Sequence, residues 1–542
     1  MNQDLDINVS STTNVVFSID ARKELFAGIK IAAEAVGCTL GPAGKTVLIQ
    51  RINESPVVTK DGVTVAKSMK LKHPVMRMGA QLVCEAASRT NDVAGDGTTT
   101  STILTYALVS EGMKLLGANY DSTALCKGIQ LASESVIASL RKNAKQVSTS
   151  AEVAQVATIS SNGDVNIGDI IAKAMEKVGR DGIITVEDAK GMTTNLEITE
   201  GMQFDRGYLS PYFVTNTDRM NVVYQDAYVL VTDKKLNNLK DLIPILEAVV
   251  KSQKPLIIIA DEVEGDAIQG LVLNRVKSNL PVVAIKSPGY GHHREELLHD
   301  ICVLTGAKIV SSSTGLSLDK TTLNDLGRVK KLVVDSKSTT LVGTGQTKEL
   351  LETHVADLRL QLQDVTLSTE EITKLKVRVA KLASGVAVIK VGGSTEMEMI
   401  ERKYRIEDAL NATRAAAEEG IVSGGGMALY WAMKESKDEL STKNYDRDIV
   451  AGIDTVFNAC LAPIQRISEN AGTNAGVVLG ELQRRNDSSL GYNAATGEYV
   501  DMIQSGIVDP VKVTRVALEN AASVAITFLS LNAVIYNEQE KS

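Results

Sequence analysis

The chain has 542 residues, 44% of them hydrophobic and 23% charged, an ordinary globular composition with length for roughly three or four domain-sized units. Its 66 acidic against 58 basic residues give a formal net charge of −8, which excludes a surface built to coat nucleic acid or an anionic membrane. The five cysteines, Cys38, Cys84, Cys126, Cys302 and Cys460, are scattered without CxxC spacing. Neither a disulfide framework nor a zinc site is expected, and the natural compartment is a reducing one.

In chain order, the start carries three aspartates and no basic residue before Arg22, which fits neither a secretory signal nor an arginine-rich transit peptide. Residues 21–37 and 77–94 space apolar side chains three and four apart, for example Met78, Leu82, Val83, Ala86 and Ala87, and so predict amphipathic helices. The second stops at Gly95, a residue suited to a helix C-terminal turn. Helical spacing resumes after residue 102 with Ile103, Leu104, Ala107 and Leu108 inward.

The middle of the chain changes texture. "DAYVLVTD", "KPLIIIADEV", "NLPVVAIKSPGYG" and "AKIVSSS" are short β-branched runs separated by helical stretches, the pattern of an α/β unit. Glycine-marked edges lie near 200 and 385, where hinges could sit. The alanine-rich helical ends, with 4% aromatics and a single Trp431, are expected to fold together around this insertion. The window "AASVAITFLSLNAVIY" from Ala521 is short for a bilayer and contains Ser, Thr and Asn, so it is read as a buried helix.

Between the two helices near residue 100 stands "GDGTTT". A helix N-terminus offers unpaired N–H groups and partial positive charge to phosphate oxygens. The glycines allow close backbone approach, and Thr98, Thr99 and Thr100 add hydroxyls. Asp96 would repel a polyphosphate unless a cation such as Mg²⁺ lay between; the plain alternative is a carboxylate that caps the helix. "CTLGPAGKT" at 38–46 nearly matches a P-loop, but Thr39 stands where its first glycine is needed, and "GGGMAL" at 424–429 fails GxGxxG. Asp61 in "TKDGVTVA" reads by itself as a turn residue, and Asp408 in "YRIEDALNATRAAAEEG" as a solvated helix face. None of His292, His293 and His299 in "GYGHHREELLHD" has HExxH or HxxEH spacing, so no metal is expected here and this stretch is read as an exposed loop entering a helix.

As a set, "TLGPAGKT", "TKDGVTVA", "NDVAGDGTTT", "EGMQFDRGYLSPYF", "IEDALNATRAAAEEGIVSGGG", "GYNAAT" and "DPVKVTR" resemble the group I chaperonins, the GroEL-like ring proteins, in order and near spacing from about residue 15 to 535. The resemblance implies a multi-domain α and α/β subunit. A mainly helical equatorial ATP-binding domain would take 1–142 and 419–542, a small intermediate hinge domain 143–199 and 387–418, and an α/β apical substrate-binding domain 200–386.

It further implies ATP and Mg²⁺ as cofactors, with K⁺ a further candidate. Asp96 would be the Mg²⁺ ligand, with Gly97, Thr98, Thr99 and Thr100 on the phosphates. Thr39, Leu40, Gly41, Pro42 and Lys60 would line the pocket, Gly425, Asn493, Ala494 and Ala495 the nucleoside, and Asp509 the ribose. Asp408 resembles the acid that swings onto the nucleotide to orient the attacking water, with Asp61 its partner, so hydrolysis would be gated by domain motion. Tyr208, Tyr212, Phe213, Ile243, Leu246, Ile268, Val272 and Leu273 match positions that hold non-native polypeptides. In "DEVEGDAIQGLVLNRVK", Val263, Ala267 and Leu271 form one helical row while Ile268, Val272 and Leu273 widen it beyond one core contact. Some of that surface is therefore expected to be exposed.

The implied partners are non-native polypeptides, a co-chaperonin lid and further copies in seven-subunit rings, single or double, in a bacterial or phage-host cytosol, with neither nucleic acid nor membrane. The sequence departs from the family pattern in lacking a glycine- and methionine-rich C-terminal tail and in carrying Ala43 where a basic residue is usual. At the ring-to-ring positions it has Gln465 with Asn474, and Lys114 with Arg447, in place of ion pairs; a weaker inter-ring contact is expected. Arg206 and Glu396 match an ion pair between neighbours in one ring. The function expected is ATP-driven folding in a ring chamber, and the alternative is a passive holdase or scaffold that kept the fold without the cycle.

Overall fold

The computed structural model describes residues 11–539 except 51–55, 148, 162, 180–181, 190, 218–219, 312, 363–368 and 384; at 11–13, 369–370, 396–397 and 537–539 only the backbone is described. The chain divides into two compact units. One comprises Met1–Lys173, Asp188–Thr193 and Val391–Ser542, the other Ala174–Glu187 and Thr194–Lys390. The segments expected as an intermediate domain fall partly in each.

The first pass is β1 (Ser11–Phe17), α1 (Ser18–Gly37), the hairpin β2 (Val47–Ile49) and β3 (Val57–Thr59), then α2 (Gly62–Ser68), α3 (Pro74–Ala94), α4 (Thr98–Gly117), α5 (Ser122–Lys142), α6 (Ser150–Ser160) and α7 (Val165–Val178). Leu25, Ile29, Ala32 and Val36 of α1 are all buried, a single face at helical spacing.

The second unit contains β4 (Ile183–Asp188), β5 (Asn195–Thr199), β6 (Gly201–Phe204), β7 (Val222–Thr232), β8 (Lys235–Leu236), α8 (Ile243–Ser252), β9 (Leu256–Ala260), β10 (Glu262–Val263), α9 (Gly265–Ser278), β11 (Val282–Lys286) and α10 (Gly291–Thr305). It continues through β12 (Ile309–Val310), β13 (Gly327–Val334), β14 (Thr339–Val342), α11 (Lys348–Gln361), α12 (Thr369–Ala383) and β15 (Val386–Val391). Its main sheet runs β11-β9-β7-β13-β14-β6, parallel from β11 to β7 and antiparallel from β7 to β6. Every residue of β9, "LIIIA", is buried, as a parallel strand covered on both faces must be. Leu298 and Ile301 of α10 and Leu351, Val355 and Leu358 of α11 join the same core.

The chain returns through α13 (Glu396–Glu419), β16 (Ile421–Ser423), α14 (Met427–Ser441), α15 (Arg447–Ala459), α16 (Ala462–Asn470) and α17 (Ala475–Arg485). There follow the hairpin β17 (Leu490–Asn493) and β18 (Glu498–Asp501), then β19 (Val508–Pro510), α18 (Val511–Ser530) and β20 (Ala533–Gln539). The two ends fold together: β20 pairs with β1 along its length, and Phe528 and Leu529 of α18 share a core with Leu25 and Ile29.

The expected buried helix from Ala521 stops at Ser530. Arg22 Nε donates to the Leu531 carbonyl at 2.8 Å and the Ser18 N–H to that of Asn532 at 2.6 Å; beyond this the β-branched Val534 and Ile535 pair with β1. No helix among the described residues is long and apolar enough to cross a membrane.

Candidate nucleotide site and apolar helix face

The turn between α3 and α4 is built on left-handed backbone. Gly95 (φ 73°) closes α3 by donating to the Asn91 carbonyl at 2.8 Å, and Gly97 (φ 84°) is the N-cap of α4, a conformation costly to any residue with a Cβ. Gly97 has no side chain to cap with, and the Asp96 carboxylate takes the adjacent Gly97 N–H at 2.5 Å. Asp96 is thus not the helix cap that was its plain alternative.

Three acids meet here. The carboxyl group of Asp96 is enclosed, although the residue as a whole is half-buried. Burial raises its pKa to about 6, and Asp61 adds to the rise against hydrogen bonds from Gly97 and Ser160. Asp509, on β19, is pushed to about 7 by burial and then by Asp96, while the Gly425 N–H opposes the shift. Asp61 caps α2: its carboxylate accepts from the Val63 and Thr64 N–H groups at 3.1 Å each and from the Thr64 hydroxyl at 2.5 Å. In place of the turn residue read from the sequence, Asp61 is the N-cap of a helix. Next to it, a Cβ on Gly62 would lie 2.5 Å from Thr99 Oγ1 and 2.9 Å from Thr98 Oγ1, so only glycine lets α2 and α4 start side by side.

The other glycine loop joins through Thr39, whose hydroxyl lies 3.4 Å from that of Thr99 and donates to the Val36 carbonyl at 2.8 Å. Asn470 Nδ2 holds this loop by donating to the carbonyls of Gly37 and Leu40 at 3.0 and 2.8 Å. Gly41 is half-buried and Pro42 exposed beyond it, and Lys60 is half-buried between β3 and Asp61.

Gly425 sits against Met502, which shares a cluster with Met427, Tyr492 and Ala494; the turn holding Asn493, Ala494 and Ala495 is thereby anchored near it. Asn493 Oδ1 accepts the Ala495 N–H at 3.0 Å. Asp408 is half-buried on α13. One turn later, Asn411 Nδ2 reaches the Gly95 carbonyl at 3.5 Å, and a Cβ on Gly95 would fall 2.3 Å from Asn411 Cβ. The i, i+3 relation puts Asp408 on the same side of α13 as this contact.

Ser160, Asn411, Gly62 and Asn470 were not singled out in the sequence. Asn411 alone carried a signal there, standing three residues after Asp408.

In the second unit the expected polypeptide-binding positions separate by burial. Tyr212, Ile243 and Leu273 are exposed, at 69%, 42% and 52%, and Tyr208, Ile268 and Val272 are partly buried against the core. Phe213 and Leu246 depart from the expectation of an exposed surface: both lie inside the core. Phe213 ends a 3₁₀ turn and is buried in the core of the unit, and Leu246 is on the inner row of α8 with Ile245 and Val249. Val250 and Val276, on the same two helices, are also exposed. Val250 is seven residues after Ile243 and Val276 four after Val272, the helical repeats that could have found them. Val263, Ala267 and Leu271 are all buried, but only Ala267 and Leu271 share a helical row: Val263 precedes α9, on β10.

The histidine stretch begins α10, where His292 and His293 pair with Glu295 and Glu296. His299 is exposed as a residue, but part of its ring is desolvated; that desolvation, and then the neighbouring His354, hold it below the usual histidine range. Arg206 lies over the Tyr290 ring at 5.3 Å; the side chain of its expected partner, Glu396, is outside the described residues.

These features define a class of protein. A model of the TCP-1/cpn60 chaperonin family matches residues 32–539, and the chain belongs to that family. Among solved structures it is similar to the chaperonin gp146 from the bacteriophage EL 2 (Pseudomonas aeruginosa), crystallised in presence of ATP-BeFx. One crystal form gives 24% identity and a TM-score of 0.65, the other 23% and 0.62; each match covers 97% of this chain and 99% of that one. At that identity the likeness establishes the chaperonin fold.

Proposed function

We propose that this chaperonin subunit binds and hydrolyses ATP with Mg²⁺ and uses the cycle to fold captured polypeptides, in the manner of the group I branch. The observation that carries the reading is the convergence of Asp96, Asp61 and Asp509 with the Thr39, Thr98 and Thr99 hydroxyls on the uncapped N-terminus of α4. An oxygen-only donor set of this kind suits Mg²⁺. Asp96 would hold the ion, which when bound would neutralise phosphate charge and let the buried carboxyl ionise.

The chain's own groups supply the rest. N–H groups and hydroxyls of the first turn of α4 orient phosphate oxygens, Thr39 and the loop clamped by Asn470 close one side, and Asp509 with Gly425 receives the sugar end. Asp408, carried on α13 beside the Gly95 turn, orients water for in-line attack. On the second unit, the exposed Tyr212, Ile243, Leu273, Val250 and Val276 hold apolar segments of a non-native chain.

Steady-state hydrolysis tests this directly. The wild type should turn over ATP, and Asp408→Ala should bind it yet lose about 100-fold or more in turnover. Absence of turnover in the wild type, with aggregation of denatured clients still suppressed, would install the passive holdase instead.

A further inference from the structure

Away from the acid cluster and the apolar face, the second unit gathers ligating side chains that neither of them uses. Asp300 of α10 has a side chain only 1% exposed. Its oxygens receive Arg378 Nε and one guanidinium NH₂ nitrogen at 2.8 Å each, and Oδ1 also pairs with His354 Nε2 of α11 at 2.7 Å. A carboxylate on one ring nitrogen fixes the tautomer and leaves the other, Nδ1, as the ligating lone pair. His299, the residue before Asp300, is exposed. Its ring centroid is 5.1 Å from that of His354 with the planes tilted by 52°, so the rings do not stack flat. A nitrogen of each ring and an Asp300 oxygen lie within 4.8 Å of one another.

Charge is balanced for a cation. Glu296 Oε1 is 3.1 Å from Arg378, so two carboxylates face one guanidinium and, with neutral imidazoles, one net negative charge remains. We propose that His299 and His354 bind a zinc-class divalent ion across α10 and α11, with Asp300 orienting His354 from behind. Paired imidazoles favour such an ion over Mg²⁺ or Ca²⁺, and the exposed His299 side leaves water access to complete the coordination. No HExxH-type pattern could announce this site, because its second histidine lies 55 positions further along the chain.

The test is titration of the full-length protein with ZnCl₂ against a fluorescent chelator. One Zn²⁺ per chain is expected, weakened by about 10- to 100-fold or more in His299→Ala and in His354→Ala, with His292→Ala unchanged. His299 is exposed, so its replacement leaves the core intact; Zn²⁺ should raise the melting temperature of the wild type and not that of His299→Ala. A wild type that takes up no more Zn²⁺ than His299→Ala, or a melting temperature that Zn²⁺ moves equally in both, overturns the proposal.

Discussion

Asp509 and Asp96 are held at about 7 and about 6 against an ordinary value of 3.8. A carboxyl whose folded pKa is raised binds its proton more tightly when folded, so ionising it costs stability. The cost is absent below the unfolded value, grows as pH climbs, and is complete once pH exceeds the folded value. For these two groups the window runs from about pH 4 to pH 7. In the nucleotide-free protein, Asp509→Asn should therefore raise the melting temperature at pH 8 and flatten its fall between pH 5 and 8. The gain is a few kcal/mol at most, since one pKa unit is worth about 1.4 kcal/mol. Calorimetry across that range checks it, and the same variant should bind ATP more weakly.

At the scale of elements, the Gly95 turn joins three helices. Gly95→Ala would place a Cβ in left-handed backbone and within 2.3 Å of Asn411, so a loss of about 1–3 kcal/mol is expected by denaturant unfolding. On α8 and α9, Val250→Ser and Val276→Ser should lower capture of a denatured client with little change in stability. Leu246→Ser, which buries a hydroxyl in the core, should destabilise the unit instead. Much of this was legible in advance: the amphipathic spacing of α1 and α3 located both helices, and the β-branched runs marked β7, β9 and β11. The glycines of the α3–α4 turn signalled its shape, because φ is restricted locally. Phe213 and Leu246 were misplaced because motif position says nothing about which side of a helix or turn faces the core. Ser160 and Asn470 were invisible because their contacts cross more than 60 and 400 positions respectively, and His354 pairs with Asp300 only through tertiary packing.

At the scale of the whole molecule, three of the four expected ring-to-ring positions have side chains engaged within the chain. Lys114 binds Glu111 at 2.5 Å, Arg447 donates to the Tyr120 hydroxyl at 2.8 Å and lies over its ring, and Asn474 caps α17 through the Gly476 and Val477 N–H groups. We expect single seven-membered rings to separate readily; native mass spectrometry that finds only 14-mers with and without ATP would refute this. The pairing of β1 with β20 has a separate bearing on biosynthesis. Residues 11–17 wait for partners 533–539, so the discontinuous unit cannot close its two-stranded sheet until residue 539 has been made. The inserted unit, most of it one stretch from Thr194 to Lys390, needs no such late arrival. A ribosome stalled some 40 codons beyond that stretch should already display a protease-resistant fragment of it, while the N-terminal helices are still being digested.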